Sequence, residues 1–574
     1  MKSIRHRFTF VLPLAACLLA CLLGSCANSQ PPSGGPPDKE PPEITEFTPA
    51  TGTLNFRGDY ATLHFSEYVN KGKVAENVYL SPPKRLEYSW SGREVEITFA
   101  EPLDSNTTYA LTLGTEYEDL SNNKPTQAFT LIFSTGNHLD SGIIRGKLTS
   151  DAPSGVFIFL YPLAGINPDT LNPATTKPKY RTQVGTSGTF EFRALPAGKY
   201  RLFAIKDEYK DQLYSVGIDG FGAPLSDISL RQDSIPTVNL RIGAAADISR
   251  PQLYDVQAMN PTTIEATFSE DIDTASLAPG NYMVRDSAGQ LGVTTKAVWM
   301  NSKNGKSVFL SVAPALDTSM KWKLSIRLGD TTVRDLAGNP ISDTVASKLF
   351  RAEADRGDTA AIPTLRLPFP DSSKSVGIST AFDILFDRAV IHDDVDRRLV
   401  FTNLSTNKTV LTNDEWRGDN LLRLTPQKPL ESDNWYEFKL STGGIRALGS
   451  TAAMKDSVRY MRFKTVDVRT FGGVKGTLID SATTGNERYI VSLVGKEKKN
   501  RISLKVNKVG AFEFTDVPSG IYTLEAFVDS ENTGKYYYGS PFPFRPSARF
   551  GASAAELTVR SRWTVEGAKV EIPK

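Results

Sequence analysis

The sequence predicts an all-β protein built from tandem β-sandwiches, and three observations carry that prediction. Apolar residues alternate with polar ones at period two, as in Leu63/Phe65, Val95/Ile97/Phe99 and Tyr109/Leu111/Leu113, the pattern of half-buried strands. Clusters of Gly, Pro, Asn and Asp recur about every ten residues and mark the turns between such strands. No long segment repeats its apolar residues at the helical period of about 3.6. The 574 residues, with 43 glycines and 35 prolines spread throughout, are enough for several cores.

The chain opens on a targeting pattern. Lys2, Arg5 and Arg7 precede sixteen uncharged residues, Phe8 to Leu23, too short and one-sided for a membrane span. Leu22-Leu23-Gly24-Ser25-Cys26 then resembles the lipobox of bacterial lipoproteins. That resemblance implies cleavage before Cys26 and lipidation, palmitate included, of the cysteine. Leu14-Ala15-Ala16-Cys17 is a competing lipobox with a shorter apolar run before it. Residues 1–25 are thus read as the signal peptide and 26–42, rich in Pro and Gly, as a flexible tether. All three cysteines lie at or before Cys26, so the mature chain has no thiol left for a disulfide, a nucleophile or a metal. Removing the leader also leaves 63 basic against 64 acidic residues, which gives no electrostatic case for nucleic acid.

Two internal repeats organise the rest. Leu63-His64-Phe65-Ser66-Glu67 recurs as Ala266-Thr267-Phe268-Ser269-Glu270 and, loosely, as Ile384-Leu385-Phe386-Asp387-Arg388. In each copy a leucine precedes an aromatic by six residues: Leu103/Tyr109, Leu316/Trp322 and Leu430/Tyr436. The first two copies add the turns Asp119-Leu120-Ser121-Asn122-Asn123 and Asp335-Leu336-Ala337-Gly338-Asn339. These features resemble the bacterial Ig-like domain of the SbsA type over 43–137, 249–352 and, divergently, 362–466.

The second repeat is gapless. Ser187-Gly188-Thr189-Phe190-Glu191-Phe192-Arg193-Ala194-Leu195-Pro196-Ala197-Gly198-Lys199-Tyr200 matches Val509-Gly510-Ala511-Phe512-Glu513-Phe514-Thr515-Asp516-Val517-Pro518-Ser519-Gly520-Ile521-Tyr522. Gly146-Lys147-Leu148 and Gly476-Thr477-Leu478 open the two copies. The pattern is strand, Pro-x-Gly turn, strand, with Phe190/Phe192 and Phe512/Phe514 on one face. It resembles the carboxypeptidase-regulatory-like, transthyretin-like sandwich, here over 142–245 and 471–573. That resemblance implies a scaffold or binding role. In this order the domains resemble a family of Gram-negative outer-membrane lipoproteins, which implies location and architecture more than activity.

Motifs for catalysis are absent from the sequence. His64, His138 and His392 show no metal-ligand spacing, and no nucleophile elbow, phosphate loop or dinucleotide fingerprint occurs. The chain is therefore expected to be no enzyme and to need no cofactor. A calcium candidate, Asp529, Glu531 and Thr533, sits in Asp529-Ser530-Glu531-Asn532-Thr533-Gly534, but Ser540 stands where an EF-hand loop places its glutamate. A polar hairpin is the plainer reading, so no metal is expected. In Tyr536-Tyr537-Tyr538-Gly539-Ser540-Pro541-Phe542-Pro543-Phe544, Tyr537 and Phe542 are candidates for binding a partner, while alternate members of the run would fill a core if it is a strand.

The expected function is that of a non-catalytic, lipid-anchored scaffold of the outer membrane, an accessory subunit of a barrel-assembly, secretion or transport complex. Its partners would be the membrane, through the lipid, and outer-membrane proteins. Sandwiches in a row, at roughly 35–40 Å for each ~100-residue module, suit spanning. The alternative is a surface adhesin or glycan-binding lipoprotein. Neutral Ala27-Asn28-Ser29-Gln30 after Cys26 leaves the periplasmic and the cell-surface face both open.

Overall fold

A computed structural model of the chain describes residues 38–231, 234–352, 362–497, 500–553 and 555–573. The signal peptide, the lipidation candidate Cys26 and most of the expected tether lie outside the described residues. Strand accounts for 47% of the chain and helix for 5%, so the fold is all-β. The α-helices among the described residues are the short Lys71–Asn77 and His392–Asp396.

Three sandwiches share one topology. In the first, Ile44–Thr48, Tyr60–Phe65, Glu94–Phe99 and Leu86–Ser91 form one sheet in that order, and Val78–Ser81, Thr108–Leu113 and Phe129–Ser134 form the other. This four-plus-three division is that of the constant-type immunoglobulin sandwich. The middle copy uses Leu253–Asn260, Thr263–Phe268, Ser307–Ala313 and Gly292–Met300, then Tyr282–Asp286, Lys321–Ile326 and Ser347–Arg351. Here Val284 and Arg285 pair with Val293 and Gly292, which joins the two halves into one seven-stranded sheet. The divergent copy keeps two sheets, a four-stranded one with Phe382–Phe386 and Leu421–Pro426 and a five-stranded one with Leu399–Asn403, Trp435–Ser441 and Val458–Thr465.

The repeat motifs are the reason for this. Leu63, Phe65, Phe268, Ile384 and Phe386 are buried in three separate cores. The aromatic six residues after the leucine ties a turn to the sandwich. Tyr109 Oη accepts the Asp104 N–H at 2.8 Å, and Tyr436 Oη accepts the Glu431 N–H at 2.7 Å. In the middle copy, Trp322 Nε1 donates to the Asp317 carbonyl at 3.0 Å. These are corner locks of the kind tyrosine makes in immunoglobulin folds.

The other two sandwiches are alike strand for strand. Thr189–Leu195, Gly142–Thr149 and Thr237–Arg241 form one sheet, and Tyr180–Gln183, Phe157–Pro162, Gly198–Lys206 and Gly220–Gly222 the other. Their counterparts are Gly510–Val517, Gly472–Asp480 and Thr564–Ile572, with Arg501–Val506, Tyr489–Gly495, Gly520–Val528 and Phe550–Ala552. In both, the last strand runs parallel to the first. Gly146 and Gly476 are required by close approach. A Cβ there would lie 2.1 Å from the Phe190 ring or 2.3 Å from the Phe512 ring, which pack over the bare backbone. Tyr200 and Tyr522 donate to the carbonyls of Pro196 and Pro518 at 2.7 and 2.9 Å, closing both Pro-x-Gly turns.

Each sandwich has its own core, yet the five do not form the string that spanning would favour. The last sandwich folds back onto the second, and the path from 142 to 573 closes on itself. The outer face of the Phe157–Pro162 sheet shows why. Phe157, Phe159, Tyr161, Phe203 and Phe221 form a second apolar cluster there, covered at one end by Tyr79 of the first sandwich and at the other by Phe544 of the last. A sheet apolar on both faces must be covered on both.

Candidate functional site

The aromatic run near the end of the chain is where that closure is made. Residues 535–547 form a loop, not a strand, so the expected alternation of core and solvent side chains does not occur. Tyr536 packs on Phe527 and Phe550 of its own sandwich at 5.6 Å. Tyr538 and Phe544 belong to the second sandwich instead. The Ala223 N–H donates to the Tyr538 carbonyl at 2.9 Å, and the Ser547 N–H to the Pro224 carbonyl at 3.2 Å. Gly243 lets the Tyr538 ring lie on its backbone, where a Cβ would be 2.9 Å from the ring.

Two buried arginines fasten this seam. Arg201 is held by Asp227 through a two-pronged pair at 2.7 and 2.8 Å and places its guanidinium 3.7 Å from the centre of the Phe544 ring. Arg241 pairs with Glu525 of the last sandwich and lies over Tyr536 and Phe550 at 5.1 and 5.3 Å. Glu525 also accepts from Arg501 at 3.1 Å. Planar cations between carboxylates and aromatic faces bind well when desolvated, as here.

The two expected partner-binding residues therefore part company with their neighbours. Tyr537 is half-buried with the Arg545 guanidinium 5.1 Å above its ring, whereas Phe542 is 49% exposed at the loop tip. Tyr538 and Phe544, by contrast, dock onto the chain's own second sandwich. Sequence reasoning missed Arg201, Arg241 and Glu525. One signal was readable: Val156-Phe157-Ile158-Phe159-Leu160-Tyr161 has no polar alternate, which marks a strand buried on both faces.

The calcium candidate folds as a hairpin cap. Asp529 accepts the Thr533 and Gly534 N–H groups, each at 3.0 Å, while Glu531 reaches Arg545 at 3.1 Å and the Thr533 hydroxyl turns to the Lys535 carbonyl at 3.4 Å. Each of these groups is engaged within the chain itself. The matching Asp207 caps its own loop through the N–H groups of Asp211 and Gln212. The histidines are dispersed: His64 meets the Thr45 hydroxyl at 2.9 Å, His138 lies 3.4 Å from Asp140, and His392 stacks on Trp416 at 3.9 Å.

Carboxylates do gather elsewhere. Asp38, Glu67 and Asp119 meet at the mouth of the first sandwich, and Asp247, Glu270 and Asp335 at the same place in the third. Asp119 and Asp335 are almost fully buried and accept N–H groups of their own turns, Asn123 and Asn339 among them, at 2.8 Å. Burial, then the facing aspartates, push Glu67 and Glu270 above the usual carboxylate range. Each group brings three carboxylates within 4.8 Å of one another. In the divergent copy, Arg388 and Ala447 stand at the Glu and Asp positions; the bridge Val390–Ala447 corresponds to Val69–Asp119 and Ile272–Asp335.

The first two copies have a counterpart among known domains. Residues 38–135 and 249–351 match the bacterial Ig-like domain. The match covers the first two copies, about a third of the chain. No curated protein matches the chain. Among solved structures, the chain is similar to the N-terminal part of the bacterial S-layer protein SbsC at 12% identity, over 38% of this chain and 45% of that one, with a TM-score of 0.17. It is similar to domains 1–6 of SbsC at 10% identity, over 91% and 66%, with a TM-score of 0.15. For the Bacillus anthracis TIE protein the values are 9%, 94%, 76% and 0.14. The chain thus spans less than two thirds of the first two structures, and likenesses this remote carry no argument about function.

Proposed function

We propose that this protein is a non-catalytic interaction scaffold of the outer membrane, held there by lipid on Cys26 and acting as an accessory subunit of a barrel-assembly, secretion or transport complex. The observation that carries the reading is the seam between the second and last sandwiches. Buried arginines, shared aromatic clusters and backbone hydrogen bonds hold sandwiches 284 residues apart in one orientation. A fixed relative orientation serves a protein that presents surfaces to a partner.

Mild-detergent capture of the native lipoprotein, with protease shaving of the same intact cells, tests this. Stoichiometric membrane proteins in the eluate support the scaffold reading, and shaving reports the membrane face. A lone monomer shaved from intact cells would replace it with the adhesin reading. Exposed Phe542 between Pro541 and Pro543 is the feature that reading would use, and glycan retention lost on Phe542→Ala would be its signature.

A further inference from the structure

The junction of the first and second sandwiches forms a half-open cleft of about 190 Å³, roomy enough for water or a small ligand. Val78–Ser81 and Tyr88 supply one wall, and Pro178, Lys179 and Arg181 the other. Three cationic side chains line it, Lys84, Lys179 and Arg181, and no carboxylate does. Lys84 is answered by Asp104 at 2.8 Å. Lys179 is exposed beside the Tyr180 ring, at 5.9 Å.

Arg181 is the unusual member. Its guanidinium sits 4.6 Å from the Tyr79 ring and 5.7 Å from the Phe157 ring, half-buried at the seam. Among the described residues it makes no hydrogen bond and no ion pair. The acid that acts on it, Asp207, gives its carboxylate oxygens to the N–H groups of Asp211 and Gln212. This contrasts with Arg201 and Arg241, buried arginines that each have a carboxylate. A guanidinium partly removed from water without an anion is under-solvated, and its fork of N–H donors matches an oxyanion. Burial accordingly holds the Arg181 guanidinium below its ordinary value.

The geometry points to a binding site for a phosphate group on a small polar body, with Arg181 as the two-pronged donor and Lys179 and Lys84 as supporting cations. Tyr79 and Tyr88 bound the cleft beside them. A free phosphate, a sugar phosphate and a phospholipid headgroup share this chemistry, and the test separates them.

The experiment uses the full mature chain. Inorganic phosphate, glucose 1-phosphate and vesicles of anionic phospholipid are titrated by calorimetry at constant ionic strength, with chloride as the reference. Saturable binding of at least one phosphate probe is expected, weakened at least tenfold by Arg181→Gln and more mildly by Lys179→Gln, which is exposed and leaves the fold alone. Arg85→Gln, a surface arginine paired with Glu87, should bind as the parent does. Which probe binds identifies the source. Equal heats from chloride, or unchanged phosphate affinity in both Arg181→Gln and Lys179→Gln, would overturn the assignment.

Discussion

Glu67 and Glu270 carry charges that their surroundings resist. Burial and facing aspartates raise both above the ordinary 4.5, so the folded chain holds their protons more tightly than the unfolded one. Their contribution to stability is full below pH 4.5 and is lost as pH rises through the folded value. The double variant Glu67→Gln/Glu270→Gln should therefore melt higher than the parent at pH 7, and the gain should vanish below pH 4.5 in a thermal scan. Glu487 has the opposite sign. The N–H of Thr484 and the hydroxyls of Thr483 and Thr484 hold it at about 2. Its stabilising effect is present above 4.5 and lost as pH falls through about 2, which carboxyl-detected NMR titration would show. The sequence announced Glu67 and Glu270 as repeat positions, because Ser-Glu recurs after a buried phenylalanine. It did not announce their clash with Asp38 and Asp247, which lie upstream and are brought in by the fold.

At the scale of elements, the hairpin tip Gly418–Asn420 joins the third sandwich to the fourth. Asp419 exchanges hydrogen bonds with Val298, its N–H donating to the carbonyl and its carboxylate accepting the N–H, both at 2.7 Å. Asn420, fully buried, donates to the carbonyls of Met300 at 3.0 Å and Phe386 at 2.8 Å. Gly418 takes a positive φ of 59°, and a Cβ there would approach the Val298 carbonyl to 2.9 Å. Ala297, Trp299 and Ala389 complete a small apolar seam. Asn420→Ala strands two buried carbonyls and should cost about 1–3 kcal/mol. Scanning calorimetry should then resolve the third and fourth sandwiches as separate transitions. Local rules read Arg417-Gly418-Asp419-Asn420 as a common hairpin turn, so its docking role is invisible to them. The strand Phe382–Phe386, which pairs with Leu421–Pro426 beyond the tip, was legible, because Ile384/Phe386 keep the period-two pattern where the Ser-Glu and Asp-turn signals have disappeared.

For the whole molecule, the order of five sandwiches could be read from repeats, since each motif is local and recurs. The closure could not, because its contacts pair side chains such as Arg241 and Glu525 that no period relates. Removing the aromatic seal with Tyr538→Ala/Phe544→Ala should open the molecule. Small-angle scattering would record a larger radius of gyration, and protease would nick the 535–547 loop sooner. An unchanged radius would mean that the remaining contacts, Arg241 with Glu525 foremost, hold the seam alone.

Closure also imposes an order in time. Sandwiches fold as they leave the ribosome or a translocation pore, yet Phe544, the cover for part of the second one's outer face, is encoded about 340 residues after Phe203. At about 5–20 residues per second, Phe203 and its neighbours wait on the order of tens of seconds for Phe544. During that interval the nascent chain bears a bare aromatic patch. It is then a client for holdase chaperones, and a truncation before residue 536 would leave it one permanently.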